Sequence, residues 1–153
     1  MQNNTHETAG STFLNVVEQL TFMFGESVPK SELEVDGVEF TLAQMRFNGD
    51  LPGVLSIGVP SEITAEIAAN ILGLEAEDIE SKEMKLDALG EVLNVVCGHV
   101  IMALVGTGAN FKLDSPEVKA ITEEGCNELI LNDDFTGFIL DDSPVLLGLT
   151  LEN

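Results

Sequence analysis

Four residues carry the chemical interest of this chain. Asp87, Glu91, Asn94 and Gly98 follow one another at i, i+4, i+7 and i+11 within KLDALGEVLNVVCGHVIMALVG, residues 85–106. On a helix at ~100° per residue this spacing puts them in one narrow arc. Apart from His99, nearly everything around them is Leu, Val, Ile, Met or Ala. A helix so apolar is gripped by a core on most of its surface. Its polar line must therefore be either a satisfied internal network or an opening onto something outside. Two acids aligned with a carboxamide offer hydrogen-bond acceptors beside a group that both donates and accepts. Gly98 has no side chain to hold a partner's backbone away. An amide in an apolar helix is also a common packing specifier, so spacing alone leaves the choice open.

The elements that must position this helix can be read on either side of it. Residues 1–10 are polar and read as a disordered leader, with a domain over residues 11–153. Ser11 reads as an N-cap, followed by Phe13, Leu14, Val17, Leu20 and Phe24 at helical spacing and a stop at Gly25. Residues 27–34 read as a connector. Val38, Phe40 and Leu42 alternate, then Ala43, Met45 and Phe47 alternate on the other parity, which predicts a strand with a bulge near Leu42. Asn48-Gly49-Asp50 turns the chain into a second strand carrying Leu55, Ile57 and Val59. Ile63, Ile67 and Ile71 mark a helix closed by Gly73, and an acidic link over residues 75–83 leads into the polar-striped helix. Residues 118–123, 135–140 and 145–151 read as three further strands, with turns at Gly125, Asp133-Asp134 and 141–144. The order α-β-β-α-α-β-β-β, in runs rather than strict alternation, predicts a single α+β domain with an antiparallel-rich sheet and helices packed on it. Each half holds a helix and strands of similar length, so an internal duplication is a reading to test. The last strand is long and apolar enough to be a hazard as a bare edge.

Composition narrows the partners. The chain has 153 residues, 44% of them hydrophobic, and a formal net charge of −21 from 27 Asp and Glu against 6 Lys and Arg. Such a field repels phosphate backbones, which argues against nucleic acid and anionic membrane surfaces. It favours a protein with exposed Lys or Arg, by speeding encounter more than by tightening the complex. Residues 92–105 are the most apolar run but short for a membrane span and interrupted by Asn94 and His99. The N-terminus has no basic segment followed by an apolar one, so the reading is a cytoplasmic protein. Cys97 and Cys126 lack CxxC spacing and read as buried free thiols. Cys97-x-His99 has metal-ligand atoms, but i and i+2 point apart on a helix, so no metal site is expected. Gly106-x-Gly108 follows a helix rather than a strand and reads as a helix stop, not a phosphate cradle. The Asp-rich turns lack the spacing of a calcium loop.

The alignment Asp87-x-x-x-Glu91-x-x-Asn94, followed by Pro116 within FKLDSPEV, resembles the signature of the CheC, CheX and FliY family of chemotaxis phosphatases. The element order resembles CheX. CheC-type members carry the motif in both halves; here the first helix offers only Glu18-x-x-Thr21, with Leu14 in the leading place, so a single CheX-like site is expected. The resemblance implies a phosphatase acting on the aspartyl phosphate of a response-regulator receiver domain in two-component signalling. Asn94 would position the water and Glu91 would pair with the receiver's active-site Lys. Asp87, Gly98 and Pro116 would serve as contact residues. The resemblance implies no cofactor of the chain's own, the Mg²⁺ belonging to the receiver substrate, and a homodimer joined through the sheets. A non-catalytic acidic adaptor of the same fold, using Glu91 and Asn94 for binding alone, is the alternative.

Overall fold

The computed structural model describes residues 2–79 and 81–152. Its architecture is α+β: a seven-stranded antiparallel sheet with its main helices on one face. In chain order the principal elements are α1 (Gln2–Thr21), β1 (Gly25–Val28), β2 (Phe40–Gly49), β3 (Gly53–Pro60), α2 (Thr64–Leu72), α3 (Lys82–Val105), β4 (Phe111–Leu113), β5 (Glu117–Ile121), α4 (Glu123–Leu131), β6 (Phe135–Leu140) and β7 (Ser143–Leu151). The sheet order is β1-β6-β7-β3-β2, with β4 and β5 both paired to the outer side of β2.

That order is a palindrome. Each half supplies a helix (α1 or α3), an outer strand (β1, or β4 with β5) and a hairpin (β2–β3 or β6–β7). Each outer strand pairs with the first strand of the other half's hairpin, and β3 meets β7 in the middle. The duplication suspected from the sequence is therefore present in the topology. The long final strand β7 lies inside the sheet between β6 and β3 rather than at an edge.

The core fills the space between the sheet and α1, α2 and α3. Ala43, Met45 and Phe47 of β2, Leu55, Ile57 and Val59 of β3, Phe138 and Leu140 of β6, and Val145, Leu147 and Leu149 of β7 point into it. Phe13 of α1 and Phe138 pack with ring centroids 5.2 Å apart at 58°, one of the tilted arrangements aromatic pairs favour. A smaller cluster on the other face joins Phe40, Phe135 and Leu146 to Leu33, Val35 and Cys126 of α4. This second cluster explains the parity change in β2. The β2–β3 register runs without a break from Phe40↔Pro60 to Phe47↔Gly53, so no bulge lies near Leu42. The start of β2 is simply covered on both faces.

Four further expectations are corrected. The stretch 2–10 is not a disordered leader: it is the first half of α1, with Ala9 and Gly10 buried and His6 Nε2 3.2 Å from the Leu149 carbonyl oxygen. Met1 lies outside the described residues, as do Glu80 of the acidic link and Asn153 at the domain's end. Ser11, read as a cap, sits in mid-helix. β1 (Gly25–Val28) runs into the supposed connector, and residues 123–131 form α4, whose cap Thr122 accepts a hydrogen bond from the Gly125 amide at 3.0 Å.

α3 runs for 24 residues, ~36 Å at 1.5 Å per residue. By length and composition it could cross a membrane. Nine of its residues, including Leu89, Leu93, Val96, Cys97 and Ile101, are instead buried within this domain, which accounts for its apolarity. Ser81 caps it, its hydroxyl accepting from the Met84 amide at 3.1 Å. Both thiols are free and buried. Burial pushes the Cys97 thiol up to about 12. The Cys126 thiol is raised by burial and then by the charge of Glu123. A thiol-specific reagent at pH 8 is expected to leave both unmodified until denaturant is added, because the reactive species is the thiolate.

Candidate functional site

α3 leaves one line of residues out of the core. Asp87, Glu91 and Asn94 are exposed, between the buried Leu89, Leu93 and Val96 on one side and the edge of the sheet on the other. They line a groove of about 630 Å³ together with Leu86, Gly90, Leu113, Asp114, Ser115, Pro116 and Val118. Among the described residues no group pairs with the side chains of Asp87, Glu91 or Asn94. Glu91 and Asn94, three residues apart on a helix, have Cβ atoms roughly 5–6 Å apart, so one small group can meet both.

The far wall of the groove is a break in the outer strand. β4 pairs with β2 up to Phe47↔Leu113, and β5 resumes at Gln44↔Glu117. Between those pairs the edge holds Asp114, Ser115 and Pro116 against only Met45 and Arg46 of β2. The extra residue makes a bulge where Pro116, which has no amide to give the ladder, is tolerated. The Asp114 amide still donates to the Arg46 carbonyl at 2.9 Å, so the distortion is confined to Ser115 and Pro116. A bulge does exist in this region, therefore, but on the edge rather than in β2. It leaves Ser115 and Pro116 exposed beside the polar line of α3.

Gly90 sets how closely the two walls approach. A Cβ placed there would lie 3.2 Å from Cγ of Pro116 and 3.7 Å from its Cβ. Sequence reading passed over this residue. Its signal was a glycine in the middle of a long helix, where it costs ~1 kcal/mol relative to Ala and so calls for a packing reason. Gly90→Val is expected to force the edge away from α3. It should lower stability by roughly 1–3 kcal/mol, as overpacking does, seen as a drop in Tm, and it should disrupt whatever the groove binds.

Of the five residues singled out from the sequence, the groove brings together Asp87, Glu91, Asn94 and Pro116. Gly98 lies one turn further along α3, half-buried, and does not line the groove; a Cβ added there meets nothing within 4 Å. His99 is exposed, with Nδ1 2.9 Å from the Val95 carbonyl oxygen, while Cys97 is buried, so the two do not converge. Among the described residues no three His, Cys, Asp or Glu side chains gather as a metal-holding group. On α1, Thr21 is buried and donates to the Val17 carbonyl at 2.7 Å, so Glu18-x-x-Thr21 is not an outward-facing copy of the motif.

Electrostatically the groove is one-sided. Asp87, Glu91 and Asp114 line it, and among the described residues no Lys or Arg does. A cationic group entering there would be met by exposed carboxylates from both walls.

A two-layer α+β domain built on a palindromic sheet, with a groove between a central helix and a broken outer strand, defines the class of protein. The family model for chemotaxis phosphatase CheX matches residues 41–129, more than half of the chain, and the chain belongs to that family. The fold is that of CheX from Vibrio vulnificus, at a TM-score of 0.71 and 17% identity over 99% of both chains. It is likewise that of CheX from Desulfovibrio desulfuricans, at 0.69 and 17% over 97% of this chain and 99% of that one. A third similar structure is a CheX-CheY-BeF3-Mg²⁺ complex from Borrelia burgdorferi, with a TM-score of 0.64 and 19% identity over 96% of this chain and 97% of that one. No curated protein matches the chain.

Proposed function

We propose that this protein accelerates hydrolysis of the aspartyl phosphate on a CheY-like receiver domain, by inserting Glu91 and Asn94 into the receiver's active site. The observation that carries the reading is the pair itself: an exposed carboxylate and carboxamide on one side of α3, without partners among the described residues, beside the Pro116 bulge. Membership of a phosphatase family and the complex of a similar CheX with CheY, BeF3 and Mg²⁺ support it.

The chemistry asks little of the phosphatase. In the overall reaction the oxygen of a water molecule bonds to phosphorus as the bond to the aspartate oxygen breaks. The products are the free carboxylate and inorganic phosphate, and the proton leaves with the phosphate or solvent. The receiver supplies the phosphoryl group and its Mg²⁺. What remains is to hold water in line, and positioning of that kind is the main protein contribution in phosphoryl transfer. The Asn94 carboxamide can accept a hydrogen bond from the water through its oxygen and donate through its nitrogen to a phosphoryl oxygen. Glu91, one turn earlier, would meet the receiver's active-site Lys in a charge-assisted bond and so fix the register of docking. Asp87 and Asp114 extend the acidic rim, and Pro116 gives the receiver a rigid apolar shoulder. Gly98 would let the partner's backbone approach α3 one turn beyond the groove.

The protein would act in the cytoplasm, where its substrate resides. A homodimer formed by sheet pairing would have to use an outer strand, since β7 is interior. The decisive experiment adds substoichiometric protein to a receiver phosphorylated on Asp and follows inorganic phosphate. Many phosphates released per chain establish catalysis. Release that stops at one per chain, or protection of the phosphoryl group, means an adaptor instead.

A further inference from the structure

α1 ends on an aromatic residue where helix chemistry favours glycine. Phe22 follows the last helical residue, its amide still bonded to the Glu18 carbonyl at 3.0 Å, and its φ is +59°. Glycine takes that left-handed conformation freely, whereas a side chain there is strained. Burial of the ring could offset the strain, but the ring is 70% exposed. Met23 turns inward and is 1% exposed, and Phe24 turns out again at 61%. The backbone between them is fixed. The Met23 amide donates to Thr21 Oγ1 at 3.3 Å, and Asn70 Nδ2 of α2 donates to the Thr21 carbonyl at 2.6 Å. Phe24 is tied to the β6–β7 turn: its amide donates to the Asp141 carboxylate at 3.0 Å, and its carbonyl accepts from the Asp141 amide at 2.9 Å. Two large apolar side chains are thus held out to solvent by a rigid segment, which marks a surface made for contact.

Phe24 also lines a groove of about 400 Å³ that shares no residue with the groove of α3. Ile139 adds to its apolar lining, and Glu26, Asp141 and Asp142 supply exposed carboxylates. Among the described residues no Lys or Arg lines it, and the Glu26 and Asp142 side chains have no partner. We infer that Phe22, Phe24 and this groove form an interaction surface for a basic segment of another protein. An Arg or Lys of that segment sits among the three carboxylates with its methylene stem along Phe24, where the ring face also attracts the cation. A neighbouring apolar side chain rests on Phe22. Charge selects this occupant over two others. A second copy of the chain brings a net charge of −21 and only 6 Lys and Arg. An anionic membrane would accept the rings but is repelled by the carboxylates beside them. The surface lies outside the groove of α3, so it stands whether or not that groove acts on a receiver.

The test selects short random peptides displayed on phage against the full chain, with counter-selection on a Phe22→Gly, Phe24→Ser double variant. Both side chains are exposed and glycine suits the left-handed position, so this variant should keep its fold, checked by its Tm. Enriched peptides are expected to join Arg or Lys to an aliphatic or aromatic residue. They should bind the wild type at least about tenfold more tightly than the double variant, as the loss of central aromatic anchors does. Raising the salt concentration should weaken them further. Glu26→Gln with Asp142→Asn keeps both rings and the shape of the turn but removes two charges, and it should weaken the same peptides severalfold. No enrichment, enrichment of acidic or uncharged peptides, or equal binding by the folded double variant overturns the proposal. So does unchanged affinity in the Glu26→Gln, Asp142→Asn chain. Flotation with phosphatidylglycerol vesicles that needs Phe22 and Phe24 would assign the rings to a membrane instead. A dimer of the wild type that the double variant cannot form would assign them to a second copy, and either result overturns the basic segment.

Discussion

Replacing Asn94 with alanine is expected to remove most of the rate enhancement while leaving docking nearly intact. The side chain is exposed and makes no hydrogen bond among the described residues, so its loss opens no cavity and strands no buried polar group. Alanine is also the better helix former at a solvent-facing position. Stability should therefore change by less than ~0.5 kcal/mol, the usual range for surface substitutions. The catalytic consequence is of another order. Taking one preorganised hydrogen-bonding group away from a transition state typically costs roughly 10²–10³ in rate. The loss should appear in the maximal rate of phosphate release, with the half-saturating concentration of phosphorylated receiver shifted little, because the interaction is made with the water of the transition state. Stopped assays over a range of receiver concentrations separate the two parameters. Wild-type maximal rate in the variant would remove Asn94 from the chemistry. Asn94→Gln is the informative companion: it keeps the amide but moves it by one methylene, so partial activity would point to the group and complete loss to its placement.

How much of this was legible beforehand differs from element to element. α3 declared itself because Asp87, Glu91 and Asn94 fall on a helical repeat in an otherwise apolar stretch, and an exposed polar stripe on such a helix is a pattern that periodicity detects well. The opposite wall was half visible. Pro116 was singled out, but that it lies level with Gly90 depends on the pairing of β4 and β5 with β2, which no local pattern encodes. The reading of β2 failed for a related reason: alternation assumes that one face is wet, and α4 with the segment around Leu33 and Val35 covers the second face at Phe40. Residues 2–10 were misread because polar composition was taken to mean disorder. Their helix is held by tertiary contacts at Ala9 and Gly10, and tertiary packing of one face stabilises most helices in proteins. The internal repeat was suspected, but its register was set on Glu18 and Thr21. The burial of Thr21, and of Ala9, Phe13, Val16 and Val17 in step with Leu89, Leu93, Val96 and Cys97, places it at Glu7–Leu14 instead. Spacing identified what a single helix could present, and long-range pairing decided what it was presented against.

Reversing the charge at Glu91 is expected to act on association rather than on the chemical step. In the proposed complex this carboxylate meets the receiver's cationic active-site Lys. Hydrogen bonds to charged groups contribute about 1.5–3 kcal/mol. Glu91→Lys removes that and sets two like charges together, so the half-saturating receiver concentration should rise on the order of 10- to 100-fold, each 1.4 kcal/mol being a factor of ten. The maximal rate, reached at high receiver concentration, should fall far less than in Asn94→Ala. Folding is not at issue, because Glu91 is exposed and pairs with nothing among the described residues. Salt gives an independent check. The groove is lined by Asp87, Glu91 and Asp114 in a chain of net charge −21, so wild-type association should slow as ionic strength rises. The dependence should be shallower in Glu91→Lys, where one attractive pair has become repulsive. Glu91→Gln separates the two contributions: it keeps a hydrogen-bonding group of the same shape without the charge, and should fall between wild type and Glu91→Lys. A Glu91→Lys chain that half-saturates at the wild-type receiver concentration would remove the ion pair from the account of docking. Asn94 would then have to reach the phosphoryl group by a register fixed elsewhere along α3.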